Sequence, residues 1–551
     1  MPRGIFTLFI IHFFSSLQVQ SLSISVNVPS SAPANANVVK DNFAAISMEL
    51  NVLNTLIGNT PQTIPNAMVA YLKNIKSRIT QPLRLRVGGN SLDGSIFNPD
   101  ATQMITFNLA STANGIKNVP VTYGPQVVTT LEQLASDVGG ISHLLGLSLI
   151  RPNDSDVVRF ASFAEETLSG NLDAFLLGNE PDLYYKNGKR SANYTPSDYL
   201  REVAQVVSDL HNSSGGNLVS RPILGGPSTC CGVLSNTIKA GYISQHKDEL
   251  KYITIQHYPQ QSCSVLGVER WNLTYLTKHA NVIRLSQWNL DGVSLAKAEG
   301  KEVLMDEYNT ASCGGTPGRS NTFAAAMWSV DYTLSLAIRN YSAIYIHTRE
   351  QNISYNIFDP PTSSVSSWTT GPQYYSLLLL AEALRGTDSS TGLSVVADLE
   401  LTDSSGSSVA GYVIYDGKGK NPQRLVLLNF GDASFGTTPN VSFAIPAGLS
   451  PQGKDGALTV KFLSAPSLSE ETAIQWAGQS VDGSGNLQGT VVENKVQCNA
   501  GCSIDVPGPA VALVGLTSSS ALGKSGSGFT SACIVALCVV LFTLCFGHLE
   551  M

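Results

Sequence analysis

Two stretches of this 551-residue sequence put a glutamate at the end of an apolar run. The first is Phe175-Leu176-Leu177-Gly178-Asn179-Glu180-Pro181-Asp182, and the second is Val303-Leu304-Met305-Asp306-Glu307-Tyr308-Asn309. Pro181 has no N–H to continue a strand ladder, so the first strand ends there and Glu180 sits at its carboxyl end. In the second, side chains alternate along the strand, so Asp306 and Glu307 are expected to face opposite ways, with only one of them lining a site. A pair of carboxyls held about 5–5.5 Å apart can cleave a glycoside with retention of configuration. One protonates the leaving oxygen and later activates water, while the other attacks the anomeric carbon. For any lone strand-end glutamate, an ordinary surface acid is the better reading. Two of them, in this order and with Gly-Asn-Glu-Pro-Asp at the first, favour catalysis.

Elements that could bring the two together recur along the chain. Short runs rich in branched residues lie at 44–48, 83–87, 143–150, 175–177, 223–225, 252–257, 302–305 and 343–347. Helix-like segments at 64–79, 154–168, 196–212 and 321–338 alternate with them, three opening on cap residues: Asp154, Thr195-Pro196 and Asn321-Thr322. Eight βα units in series predict a closed (β/α)8 TIM barrel. By strand count Glu180 ends strand 4 and Glu307 ends strand 7, on the face where barrel active sites form. After residue 384 the texture becomes strand-like at 395–401, 408–415, 424–430, 440–445, 458–464 and 510–516, joined by Gly, Pro, Ser and Asn turns. This predicts an antiparallel β-sandwich. The early strand 22–28 has no helical partner and could join that sandwich. Gly483-x-Gly485 with Gly489 is only a near miss to a dinucleotide loop, and it reads as a turn.

Composition narrows the class. The chain is 43% apolar and 14% charged, too apolar for disorder and low in charge for a cytosolic domain. Its 41 acidic and 34 basic residues give a net charge of −7 without a basic run, which argues against nucleic-acid binding. Residues 1–21 read as a signal peptide, since an apolar run of about 10 residues is too short to span a membrane. Residues 518–551 combine small residues, a polar spacer and an apolar tail, the pattern of a glycolipid (GPI) anchor signal; a retained span is disfavoured by the absence of Lys or Arg after the tail. The expected organisation is therefore 1–21 signal, 22–40 leading strand, 41–385 barrel, 386–517 sandwich and 518–551 anchor signal.

Six of the nine cysteines lie outside the tail, an even number that suggests disulfides in an extracellular chain. Cys498 and Cys502 are a local pair; Cys230, Cys231, Cys263 and Cys313 allow three connectivities. Sequons at Asn153, Asn193, Asn212, Asn272, Asn340, Asn352 and Asn440 fit a secreted glycoprotein. No zinc spacing, P-loop or G-x-S-x-G elbow occurs, which disfavours a zinc hydrolase, a nucleotide enzyme and a serine hydrolase; a two-glutamate glycosidase needs neither a metal nor an organic cofactor.

The two glutamate stretches resemble the superfamily of retaining barrel glycosidases. Leu83-Arg84-Leu85-Arg86-Val87-Gly88-Gly89-Asn90-Ser91, Leu177-Gly178-Asn179-Glu180-Pro181-Asp182 and Val506-Pro507-Gly508-Pro509-Ala510-Val511-Ala512-Leu513-Val514 more narrowly resemble glycoside hydrolase family 79, the β-glucuronidase and heparanase family. The resemblance covers nearly the whole chain between the two signals. It implies Glu180 as acid/base, Glu307 as nucleophile and Asn179 as the partner of the sugar 2-OH. It also implies Tyr258 as a hydrogen-bond donor to the nucleophile, and Glu49 and Asn90 as sugar-binding residues. Residues 312–315 and Tyr355 fall in loops where the family binds the sugar, but the residues that take a uronic carboxylate are not assigned. His257 and His347 each read as structural histidines. The implied activity is an exo-acting β-glucuronidase on a carbohydrate substrate. Endo-cleavage, another sugar, transglycosylation or a non-catalytic carbohydrate-binding surface glycoprotein are the alternatives. The oligomeric state is left open.

Overall fold

The computed structural model describes residues 22–107, 119–263, 272–387, 391–402, 408–436, 440–449 and 456–516. The signal peptide expected at 1–21 and the anchor signal expected at 518–551 lie outside the described residues. No helix among the described residues is long and apolar enough to cross a membrane.

Eight parallel strands close a barrel in chain order: β1 (Ala44–Glu49), β2 (Leu83–Gly88), β3 (Ile141–Leu147), β4 (Leu172–Leu177), β5 (Leu224–Thr229), β6 (Leu250–His257), β7 (Glu302–Tyr308) and β8 (Ala343–Thr348). Strand β8 pairs β1 with Ile346 opposite Ile46, and β4 pairs β5 with Phe175 opposite Leu224, so no edge remains. Alternation sorts the side chains. Ala45, Leu144, Ala174, Leu176, Tyr252, Leu304, Ala343 and Tyr345 fill the interior. Outward residues such as Leu83, Leu85, Val303 and Met305 pack under the helices. All eight expected strands are present. The third begins and ends earlier than expected because Leu149 and Ile150 extend the apolar run into a loop.

Helix Phe323–Ile338 is buried from Phe323 to Ala337. A helix apolar on all sides must be covered on all sides, and Pro372–Ala383, which was not foreseen as a helix, is nearly as buried. Their cover is a β-sandwich. Its larger sheet runs Val38–Lys40, Leu393–Asp398, Val409–Asp416, Pro422–Asn429, Ala510–Gly515, Ala457–Ser464 and Gln475–Trp476. Its smaller sheet holds Leu22–Ser25, Asn440–Ile445 and Cys502–Pro507, with the first strand parallel to the second. Val413, Leu425 and Leu427 face the smaller sheet, while Tyr412, Ile414, Val426 and Leu428 join the barrel-side core. A sheet buried on both faces reads as continuous apolar sequence rather than strict alternation. Residues 480–488 form a hairpin whose turn is tied by Asp482, which accepts from the Ser484 and Asn486 amides.

The cysteines pair as Cys230–Cys231, Cys263–Cys313 and Cys498–Cys502. The second joins the segment after β6 to the segment after β7.

Candidate active site

The carboxyl ends of the eight strands converge on a cluster of buried polar groups. Gly178 leaves β4 with φ +80°, where a side chain would meet the Tyr184 hydroxyl at 2.8 Å. Glu180 follows in the left-handed region (φ 49°, ψ 54°) and opens a turn at Pro181–Leu183. A non-glycine residue there is uncommon and persists only where its surroundings hold it. Its N–H donates to Ser228 O at 3.1 Å.

Glu307 lies near the end of β7 and is almost fully buried. Its Oε2 accepts from Arg86 Nη1 at 2.6 Å, and its Oε1 accepts from the Tyr258 hydroxyl at 2.6 Å. His347 Nε2 is 3.9 Å from Oε1. Arg86 extends inward from β2 and donates through Nη2 to Asn179 Oδ1 at 2.9 Å. Asn179 in turn donates to Asn90 Oδ1 at 3.1 Å. The Gln256 carboxamide lies 2.9 Å from Asn179 Oδ1 and 3.2 Å from Glu180 Oε1. Glu49, at the end of β1, accepts from the Ser91 amide (2.7 Å) and hydroxyl (2.6 Å), and its other oxygen is 3.2 Å from His347 Nε2. Gly89 permits this approach, since a Cβ there would lie 2.4 Å from the Glu49 carboxyl.

The two glutamates sit in opposite electrostatic settings. Burial pushes the Glu180 carboxyl well above its ordinary range, and the negative charges of Glu307 and Asp182 add to the effect. Burial also opposes ionisation of Glu307, but the pull of His347 and Arg86 and the Tyr258 hydrogen bond outweigh it and hold that carboxyl low. Glu49 is held at about 2: His347, Arg349 and Ser91 overcome its burial. Such a cluster can offer a proton from one carboxyl and negative charge from another.

Residues 411–513 match the family model described as the glycosyl hydrolase family 79 C-terminal β domain. A β-glucuronidase of Neurospora crassa is 24% identical over 514 residues, covering 85% of this chain and 89% of that protein. One of Aspergillus niger is 24% identical over 490 residues, covering 84% and 86%. The chain is thus similar to glycoside hydrolase family 79 in its C-terminal β domain and to β-glucuronidases over most of its length. Its fold is shared by a 4-O-α-L-rhamnosyl-β-D-glucuronidase of Fusarium oxysporum 12S (TM-score 0.73, 22% identity, 89% of this chain and all of that one). It is shared more distantly by an α-L-arabinofuranosidase of Thermotoga maritima (TM-score 0.55, 10% identity, 90% and 99%).

The six residues singled out in sequence, Glu180, Glu307, Asn179, Tyr258, Glu49 and Asn90, all border the same cluster. Two expectations are corrected. His347 is no bystander: its Nδ1 meets Ser47 Oγ at 2.9 Å while Nε2 faces Glu49 and Glu307. His257 does stay structural, stacked on Trp288 and bonded to the Tyr332 hydroxyl at 2.7 Å. Nor do Asp306 and Glu307 diverge. Both reach Arg86, with Asp306 Oδ2 3.4 Å from Nε. Register irregularities beside them, between Ile255 and Gln256 on β6 and between Met305 and Tyr308 on β7, break the strict alternation. Arg86 and Gln256 were missed. Arg86 left a signal, because an arginine inside Leu-Arg-Leu-Arg-Val on a buried strand must find partners; Gln256 left none.

Among the described residues, the group of His, Cys, Asp or Glu side chains near enough to share an ion is Asp182 with Cys230 and Cys231. Those sulfurs are bonded to each other, so they are not thiolate ligands.

Proposed function

We propose that this glycoside hydrolase is an exo-acting, retaining β-glucuronidase, secreted and held at the cell surface by a C-terminal lipid anchor. The observation that carries the reading is the buried hydrogen-bonded cluster joining the two glutamates: Arg86 donates to both Glu307 and Asn179, and the Gln256 carboxamide bridges Asn179 and Glu180. Glu180 gives its proton to the glycosidic oxygen as Glu307, oriented by Arg86 and Tyr258, attacks the anomeric carbon. Glu180, now a carboxylate, then takes a proton from the water that hydrolyses the glycosyl-enzyme. In this reading Asn179 holds the sugar 2-OH, and Glu49 and Asn90 hold other hydroxyls.

The names of the Neurospora and Aspergillus relatives support a glucuronide as substrate. For the uronic carboxylate, the best-suited donors are the backbone of residues 312–315 and the Tyr355 hydroxyl. Gly314 and Gly315 have positive φ, and a Cβ on Gly315 would lie 3.2 Å from the Tyr355 ring. Tyr355 in turn packs 6.3 Å, centroid to centroid, from Tyr258. The anchor and the signal peptide rest on residues 518–551 and 1–21 of the sequence.

The test compares nitrophenyl β-glucuronide with nitrophenyl β-glucoside on the purified enzyme. Preference for the glucuronide supports the reading. Activity on the glucoside alone keeps the two-carboxyl mechanism and discards the uronic specificity. Silence on both moves the assay to long uronic polymers.

A further inference from the structure

We infer that Asp182 is a positioning residue that fixes Glu180 for proton transfer to the leaving group, and that the Cys230–Cys231 pair is the frame holding Asp182. The inference rests on the acid/base role proposed above for Glu180. Glu180 stands in a left-handed conformation beyond the end of β4, where no strand ladder holds it. Two stitches flank it instead. On one side its N–H donates to Ser228 O. On the other, the Asp182 carboxylate accepts three consecutive amides: Cys230 at 3.2 Å, Cys231 at 2.9 Å and Gly232 at 2.7 Å. Successive N–H groups turned toward one point form an anion-binding concavity.

A disulfide between adjacent residues removes freedom from that stretch of chain, which keeps the amides convergent. The fit is close at Gly232, where a Cβ would lie 3.1 Å from the Asp182 Cβ. Asn289 ties the far end, donating to Gly232 O at 3.2 Å and accepting from the Leu234 amide at 3.0 Å. Asp182 touches no reacting atom. It sets the backbone two residues from the acid/base and adds negative charge beside it. The other charges facing Glu180 are Glu307 on β7, Lys189 on the loop after β4, and Arg86 on β2.

The experiment uses the whole enzyme, as wild type, Asp182→Asn and the double variant Cys230→Ser/Cys231→Ser. Each is assayed on dinitrophenyl β-glucuronide, whose leaving group needs no acid, and on methyl β-glucuronide, whose leaving group does. Asp182→Asn should lose about tenfold or more in kcat/KM on the methyl glycoside and less than about threefold on the dinitrophenyl one, because only the first needs general acid help. The basic limb of its pH profile should move to lower pH. The double variant, which leaves Asp182 in place, should shift the same ratio in the same direction, and it carries the test if Asp182→Asn does not fold. Equal losses on both substrates, or an unchanged ratio, overturn the inference. If wild type cleaves neither glucuronide, the proposed function fails instead. The clamp is then judged by 13C NMR titration of the Glu180 carboxyl, which should fall in Asp182→Asn; no change would overturn it.

Discussion

Arg86 Nη1 donates to Glu307 Oε2 at 2.6 Å, with both side chains buried. The same guanidinium serves Asp306 and Asn179, so one cation organises the nucleophile candidate, the acid beneath it and the residue beside the acid/base. A planar fork can do this; an ammonium cannot.

Arg86→Lys should therefore leave Glu307 poorly held and its carboxyl raised. Activity requires ionised Glu307, so the acidic limb of kcat/KM should move to higher pH, with the largest loss at the acid end. Arg86→Met should in addition destabilise the fold by about 3–5 kcal/mol, because it leaves buried carboxylates without their partner. Rate profiles from pH 4 to 8 and denaturant melts check both.

Glu307→Gln should abolish turnover on every substrate. Glu180→Gln should fall by roughly 10²–10⁴-fold where the leaving group needs a proton, and far less where it does not. Near-normal hydrolysis by Glu307→Gln would refute the nucleophile assignment.

Gly89 should not tolerate alanine. A methyl group there would lie 2.4 Å from the Glu49 carboxyl, at a φ of +85° that strains any side chain. Displacing Glu49 should raise KM about tenfold or more, since a hydrogen bond to a charged partner contributes roughly 1.5–3 kcal/mol. A KM within twofold of wild type in a folded Gly89→Ala protein would contradict a sugar-gripping role for Glu49.

Docking of the barrel to the sandwich should weaken in alkali. His279 Nδ1 lies 2.9 Å from Asp331 Oδ1 and its Nε2 lies 3.2 Å from Asp398 Oδ2, while Tyr412 from the sandwich also donates to Asp331. Burial opposes the charge on the ring, but the two carboxylates prevail and hold His279 at about 10, against 6.5 unperturbed. A raised folded value contributes stability fully present below pH 6.5 and lost as pH rises toward 10. His279→Gln should cost about 3 kcal/mol at pH 6 and little at pH 10. An equal cost at both would show that the ring's charge is irrelevant.

Much of this molecule was legible in its residues one after another. The (β/α)8 alternation, the later sandwich texture and the positions of Glu180 and Glu307 at strand ends follow from local rules: period, breakers and caps act within a few residues. Tertiary structure alone decided what those strand ends surround. Arg86 is 221 residues from Glu307, and His347 is 298 from Glu49, so only barrel closure brings each pair together. Bulges decided that Asp306 and Glu307 share Arg86, because alternation holds only while the register does. The choice among the cysteine pairings also waited on the fold, since spacing does not say which sulfurs meet. The chain itself specifies which groups exist and on which element each lies; their protonation comes from burial and neighbouring charge, which exist only once the barrel has closed.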